Sequence, residues 1–524
     1  MEEVGTVEIE ETQSAPQEAL PAAQDNHDDA PSDPNGGNLP QEETTPPMER
    51  PPPLKLAPLV VILFYLVSGG PYGTEETVKA AGPFYTLLFC FLTPFIWSLQ
   101  ESQIMAELTC AMPDASGGVV WCETAFGPFA GWLEGTLSNI SGMTDNAIYP
   151  VLFLDYLIKV LPEGAKEQEH LHPVYRFFLL AFLAVCLSYL NWRGLNLVGN
   201  MSIVICIVAM SPFVVMAILA ADKIDPARWM VGPSLTAEDY KAISTYDLSG
   251  GFFPNATLGG VLLRPFLNNL FWNYNSFDSV GSLSEEVGDS PERIIPRALS
   301  WTWFITIFGY LIPLLVAIGA SESSQADWED GYLAQVAHDV VGPWLADWMV
   351  FAAFLSNLAL FQAELSSDAF SLYGMANKGM LPSALGVRSR HGTPTSAIVF
   401  CTIIIIIFSV AHLDQLVEML NFNYAISLLM EYAAFIKLRI YHPDLPRPYR
   451  VPLSTRWCIF FMIPTVGATL MVMAVASYMT LLVGFFSVLL ASALYIIFGK
   501  QIRENSTTYT EVNQEQSNDL IEIT

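Results

Sequence analysis

Seven carboxylates sit inside stretches that are otherwise apolar: Glu101, Glu107, Asp145, Asp278, Glu364, Asp368 and Glu431. An acid at membrane depth costs about 3 kcal/mol, so it marks an ion or proton path by default. Lys and Arg are nearly absent from the same stretches, and every basic residue fits nearer a membrane edge. Protons or a cationic substrate must then neutralise these groups. His338 and His391 fall in loops and His412 at a helix end, so a proton step falls to a carboxylate. Glu364 and Asp368 are four apart and share a helix face, as do Asp145 and Tyr149. Tyr72, Trp272, Tyr274 and Phe277 offer ring faces to ammonium groups. The blander roles are a gate or loop tether for Glu107, a structural one for Glu101, and for Glu431 an ion pair with Lys437 or Arg439.

The elements that must position these groups are membrane helices. The chain has 524 residues, of which 52% are hydrophobic and only 14% charged. Apolar runs of about 20 residues recur, the length a helix needs to cross a bilayer core. A β-barrel would alternate instead. Twelve spans result, at about 56–79, 83–112, 126–159, 174–191, 197–221, 261–287, 298–320, 342–375, 394–412, 415–438, 457–476 and 479–499. The third and eighth are longer than a membrane requires and are expected to tilt or extend beyond it. The last two divide one continuous apolar stretch. The expected architecture is an all-α membrane protein: residues 1–52 an acidic tail, 53–499 the helical domain, and 500–524 a second tail.

Two spans are broken. The first runs into Ser68-Gly69-Gly70-Pro71-Tyr72-Gly73, where glycine costs about 1 kcal/mol and proline about 3 in a helix. The sixth carries Asn273, Asn275, Ser276, Asp278, Ser279, Gly281 and Ser282 at its middle. Irregular backbone is tolerated at that depth only where it lines a cavity or is buried in protein. The breaks are five spans apart, as expected for two inverted five-helix repeats with a central site between them. The competing reading is a pair of kinks for close helix packing. It leaves the Asn, Asp and Ser of the second break unexplained.

The net charge of -29 is concentrated at the N-terminus, where residues 1–49 hold thirteen Asp and Glu and no Lys or Arg. That sign excludes nucleic acid as a partner, and the start lacks the basic and apolar regions of a signal peptide. With both ends cytoplasmic, fifteen of the 23 basic residues fall inside and eight outside, in accord with the positive-inside rule. The seven cysteines show no CxxC spacing, so neither a metal nor a cofactor is expected.

Six segments carry a resemblance: VSGGPYGTEETVKAAGP (67–83), AELTCAMPDASGGVVW (106–121), SGMTDNAIYPVLFLDYL (141–157), NLFWNYNSFDSVGSLSEEV (269–287), AELSSDAFSLYGMANKGMLP (363–382) and RPYRVPL (447–453). The chain resembles the amino acid–polyamine–organocation superfamily, in the L-type amino acid transporter-like branch, and within it the polyamine–proton symporters. The resemblance implies alternating access and import of putrescine, spermidine or spermine, driven by protons. It implies a substrate site at Ser68, Gly69, Gly70, Gly73, Asp145, Asn146, Trp272, Asn275, Asp278 and Glu364. Glu107, Asp145, Glu364 and Asp368 are the candidates for proton coupling. The loop after the third span has no Cys, so no disulfide-linked heavy chain is expected as a partner. The plasma membrane is the expected location, with an endomembrane as the alternative.

Two other readings compete. A neutral amino acid transporter or exchanger of the same fold needs only the first break, whose N–H groups would hold a substrate carboxylate. It leaves Asp145, Asp278 and Glu364 uncompensated. A transporter-like nutrient receptor is allowed by the long acidic tail but demanded by nothing. Sodium coupling stays open through Ser366 and Ser367 beside the first break. No nucleophile–base constellation points to an enzyme.

Overall fold

The computed structural model describes residues 52–160, 173–236, 239, 257–288, 290–410 and 413–523. The acidic segment 1–51, including the expected tail, lies outside the described residues, as do His412 and the acidic loop 161–172. Helix α1 (Leu56–Val67) stops where the sequence expects. Gly70 and Gly73 then take φ of 84° and 85°, a region that glycine enters without steric cost. The chain is helical again from Glu75. It runs through α2 (Glu75–Thr93), one wide turn at Pro94–Ser98 and α3 (Leu99–Ala111). The end of the first span and all of the second are thus one rod, kinked where Gly82 turns to φ 72°.

The short α4 (Gly118–Phe126) leads into α5 (Pro128–Asn146) and α6 (Ile148–Val160), which divide the long third span at Ala147. Helices α7 (Pro173–Trp192) and α8 (Leu195–Leu219) come next, then a two-stranded ribbon of β1 (Thr257–Leu258) and β2 (Val261–Leu262). The sixth span is α9 (Leu263–Tyr274), a break, and two tight turns at Phe277–Val280 and Ser284–Glu286. After it come α10 (Pro291–Ala320), α11 (Tyr332–Val340), α12 (Pro343–Asn377), α13 (Thr395–Phe408), α14 (Leu413–Tyr441), α15 (Thr455–Ala474) and α16 (Tyr478–Ile523). Helix α16 continues well past residue 499, where the apolar run ends.

Among the described residues, seven helices are long and apolar enough to cross a membrane, and α1 and α13 are shorter apolar helices. Helices α5 and α14 are too polar by composition because they face each other in the interior. The outer surface is apolar, with Phe178, Phe182, Ile207, Phe460, Phe485 and Ile496 all exposed. That is the surface of a protein whose solvent is lipid. The largest buried cluster joins α1, α3, α10, α14 and the sixth break through residues such as Phe64, Ile104, Phe271, Phe277 and Leu299. Where the turns after that break pass the start of α4, backbone meets backbone. A Cβ on Gly281 would lie 2.8 Å from the Cα of Gly117.

Candidate functional site

The first break and helix α9, which leads into the second break, line one cavity of about 660 Å³. Val67, Ser68, Gly69, Tyr72 and Gly73 come from the first, and Asn268, Asn269, Trp272 and Asn273 from α9. Asp145 and Tyr149 form another wall. Trp272 donates from Nε1 to Asp145 Oδ1 at 3.0 Å, and Tyr72 donates to the carbonyl of Ala209 at 3.2 Å. Both rings are thereby fixed against the cavity. The cavity reaches Glu76, Lys79, Glu329 and Asp330 at its outer end, where Lys79 pairs with Glu329 at 3.0 Å.

A second, smaller pocket of about 50 Å³ continues inward past Asp145 and Trp272. Its lining includes Glu134, Asp145, Asp278, Glu364 and Asp368 and no Lys, Arg or His. Asn275, Ser276, Ser282, Ser367 and Tyr424 are also in its lining. Asp278 is presented by the sixth break, which turns at Ser276 with φ 72°. A non-glycine residue held there costs on the order of 1 kcal/mol or more and needs support. Ser276 N–H donates to Tyr424 Oη at 3.0 Å, and Ser276 Oγ donates to Asn275 Oδ1 at 2.8 Å. Phe277 N–H donates to Glu101 Oε1 at 2.9 Å, so Glu101 caps the broken helix. Glu364 and Asp368 lie together over Gly142, where a Cβ would collide with Asp368 Oδ1.

The first break differs from a vacant anion site. Gly73 N–H donates to Glu75 Oε2 at 2.8 Å, and Gly70 N–H to Ser68 Oγ at 3.3 Å. Glu75 is wholly buried. The chain supplies its own carboxylate to the amides that would otherwise hold one.

The amino acid permease family model matches residues 60–498. The chain belongs to that family. It is 41% identical to a probable polyamine transporter of Arabidopsis thaliana over 85% of this chain and 87% of that one. It is 38% identical to a polyamine transporter of Oryza sativa subsp. japonica, over 84% and 76% of the two chains. A further polyamine transporter of Arabidopsis thaliana is 36% identical over 84% of each. The family and these relatives are transporters, not enzymes, and this permease is an integral membrane protein.

Several expected roles change in the permease structure. Glu107 is not open to a cavity. Its carboxylate is held by the guanidinium of Arg439, by Arg447 at 3.2 Å and by the N–H of Val451 at 2.8 Å. The RPYRVPL segment folds back to bring Arg447 and Val451 in beside Arg439 of α14, so the tether reading describes its geometry and the proton-coupling one does not. With Arg439 so engaged and Lys437 lying 4.5 Å over the Phe126 ring, Glu431 has neither expected partner. Tyr274 points away and donates to the carbonyl of Cys90 at 3.1 Å, while Phe277 joins the apolar core. Ser366 bonds Gln362 and Asn191, and Ser367 meets Ser282 of the sixth break at 3.0 Å, so neither stands beside the first. Asn146 is fully buried, and neither polar atom of its side chain has a hydrogen-bond partner among the described residues.

Far from the cavity, at the start of α1, Leu54 pairs with Val287, and Arg388 holds Glu286 at 2.5 Å and Glu285 at 3.6 Å. Lys378 closes on Glu123 at 3.0 Å. At about 1.5 Å per residue, the twelve residues of α1 put this seal some 18 Å from the break.

Three contributors carry no mark in the sequence: Glu75 as an internal anion, Tyr310, which lines the large cavity, and Tyr424. Glu134, in PFAGWLEGTLSN, carries the same signal as the seven acids, since it too lies inside the third span.

Proposed function

We propose that this permease imports polyamines by proton symport with alternating access. The observation that carries the reading is the inner pocket, with five carboxylates and no basic side chain in its lining. Uncompensated acids are costly at membrane depth, so the site calls for a polycation. One ammonium group binds among Asp278, Asn275 and Asp145. The methylene chain runs along Trp272, Tyr149 and Tyr72, whose ring faces also favour cations. The acids at the outer end accept the distal amine. The names of the three relatives agree with this reading.

Twelve spans, inverted repeats and cytoplasmic termini belong to the same proposal. The basic-residue asymmetry and the spacing of the breaks support them. On that topology the cavity opens outward and the Arg388 seal faces the cytoplasm of a plasma-membrane protein. Ser68, Gly69, Gly73, Trp272 and Glu364 are proposed as substrate-site residues because they line the two pockets, whereas Gly70 and Asn146 are in the lining of neither. Asp145, Glu364 and Asp368 remain candidates for proton handling. A neutral amino acid fits less well, because its carboxylate would compete with Glu75 for the amide of Gly73.

The test is labelled spermidine uptake into liposomes carrying the purified protein, with and without an inward proton gradient and with excess leucine. Gradient-stimulated uptake that leucine leaves unchanged is expected. Leucine exchange without spermidine uptake would overturn the reading.

A further inference from the structure

Glu134 of α5 and Glu431 of α14 meet over Gly118 of α4. A Cβ on Gly118 would collide with an Oε1 of each. Both side chains are at most 2% exposed. Ser427 Oγ lies 3.1 Å from Glu134 Oε1, whereas Glu134 Oε2 and both oxygens of Glu431 have no hydrogen-bond donor among the described residues. Both Oε1 atoms flank that single Cβ position, so the two carboxyl groups are close neighbours. Two carboxylates cannot bond each other without a proton between them, because both are only acceptors. A shared proton satisfies both.

The other titratable groups facing the pair bring no cation. They are Cys122 of α4, Glu101 of α3, Asp278 of the sixth break, and Tyr424 and Tyr432 of α14. Helix α12 packs on α5 and brings Glu364 and Asp368 over Gly142, while its Lys378 is held by Glu123. Glu134 also lines the inner pocket with Asp278, so the pair is reached from the substrate path.

We propose that the Glu134–Glu431 pair is the site that carries the coupling proton. This rests on the symporter reading above. The proton enters from the outer side through the inner pocket and is held between the two carboxyl groups. The substrate ammonium compensates Asp278. Closing the cavity over either site uncompensated would bury repelling charge, so only the doubly loaded protein occludes. On the inner side both leave, and the proton returns to water. Coupling thus comes from the shared cost of occlusion rather than from contact between proton and polyamine.

Glu431→Gln and Glu134→Gln keep volume and one hydrogen bond while removing the exchangeable proton. In proteoliposomes Glu431→Gln, at a residue outside the inner pocket lining, is expected to bind spermidine within about three-fold of the wild type and to retain spermidine–spermidine exchange; Glu134→Gln is read for proton movement alone. Proton-driven accumulation is expected to fall at least ten-fold, with no proton entering per spermidine by an internal pH dye. Variants that still carry wild-type protons per spermidine overturn the assignment while leaving symport intact. Wild-type uptake without proton movement overturns symport itself and the pair's role with it. If neither variant folds, by gel filtration and binding, the pair is structural and the proposal falls.

Discussion

The hydroxyl of Tyr424 stands between two acids, donating to Asp278 Oδ1 while Glu101 Oε1 lies 3.3 Å away. The same oxygen accepts the N–H of Ser276 at 3.0 Å. One proton cannot serve both carboxyl groups. Tyr424 therefore joins the strained turn at Ser276, the cap at Glu101 and the cation ligand Asp278 in a single network.

Tyr424→Phe removes that link and leaves the Ser276 amide without its acceptor. A hydrogen bond to a charged group contributes about 1.5–3 kcal/mol, or roughly ten- to a hundred-fold in affinity. Calorimetric titration with spermidine is expected to show a loss of that size. Unchanged affinity would detach Tyr424 from the site.

Asp278→Asn keeps the shape and removes the charge. Spermidine uptake is expected to be abolished, with the protein still monodisperse and reaching the membrane in normal amount. Normal uptake would move the cation site elsewhere.

Glu75→Ala frees the amide of Gly73 for an external carboxylate. Leucine, expected to leave wild-type uptake unchanged, is expected to become a competitor of spermidine uptake in this variant. If leucine stays inert at high excess, Glu75 is not what keeps amino acids out.

Glu107→Gln breaks an ion pair in which both side chains are about 1% exposed. Removing one partner of such a pair costs about 3–5 kcal/mol, since Arg439 stays buried without its counter-charge. A clear drop in the unfolding temperature in detergent is expected. The protons carried per spermidine are expected to be unchanged in the folded fraction. A changed proton count with unchanged stability would return Glu107 to the coupling machinery.

The breaks and the acids are readable in sequence because both violate what a membrane helix tolerates. Gly70, Pro71 and Gly73 cannot continue a helix, and Asp278 cannot face lipid. Pairing is not readable. Glu107 and Arg439 are 332 residues apart, and nothing local in RPYRVPL says that it folds onto α3. Nor does helical periodicity survive a left-handed residue. Ser276 rotates the chain beyond it, so Phe277 enters the core although its neighbours line a pocket. Glu134 is marked as an acid inside the third span, but its pairing with Glu431 is not, because the two are far apart in sequence and the cations nearest Glu431 along the chain are held by other groups.

The contact of Gly281 with Gly117 has a practical consequence. Gly281 lies in ordinary helical conformation, so alanine there brings no backbone strain. Its single methyl group would nevertheless be wedged against the Gly117 backbone at the joint between the sixth break and α4. If these two pieces slide as access alternates, Gly281→Ala is a doorstop one carbon thick. It would hold the protein out of the state in which the joint is closed and leave the opposite state to accumulate for capture.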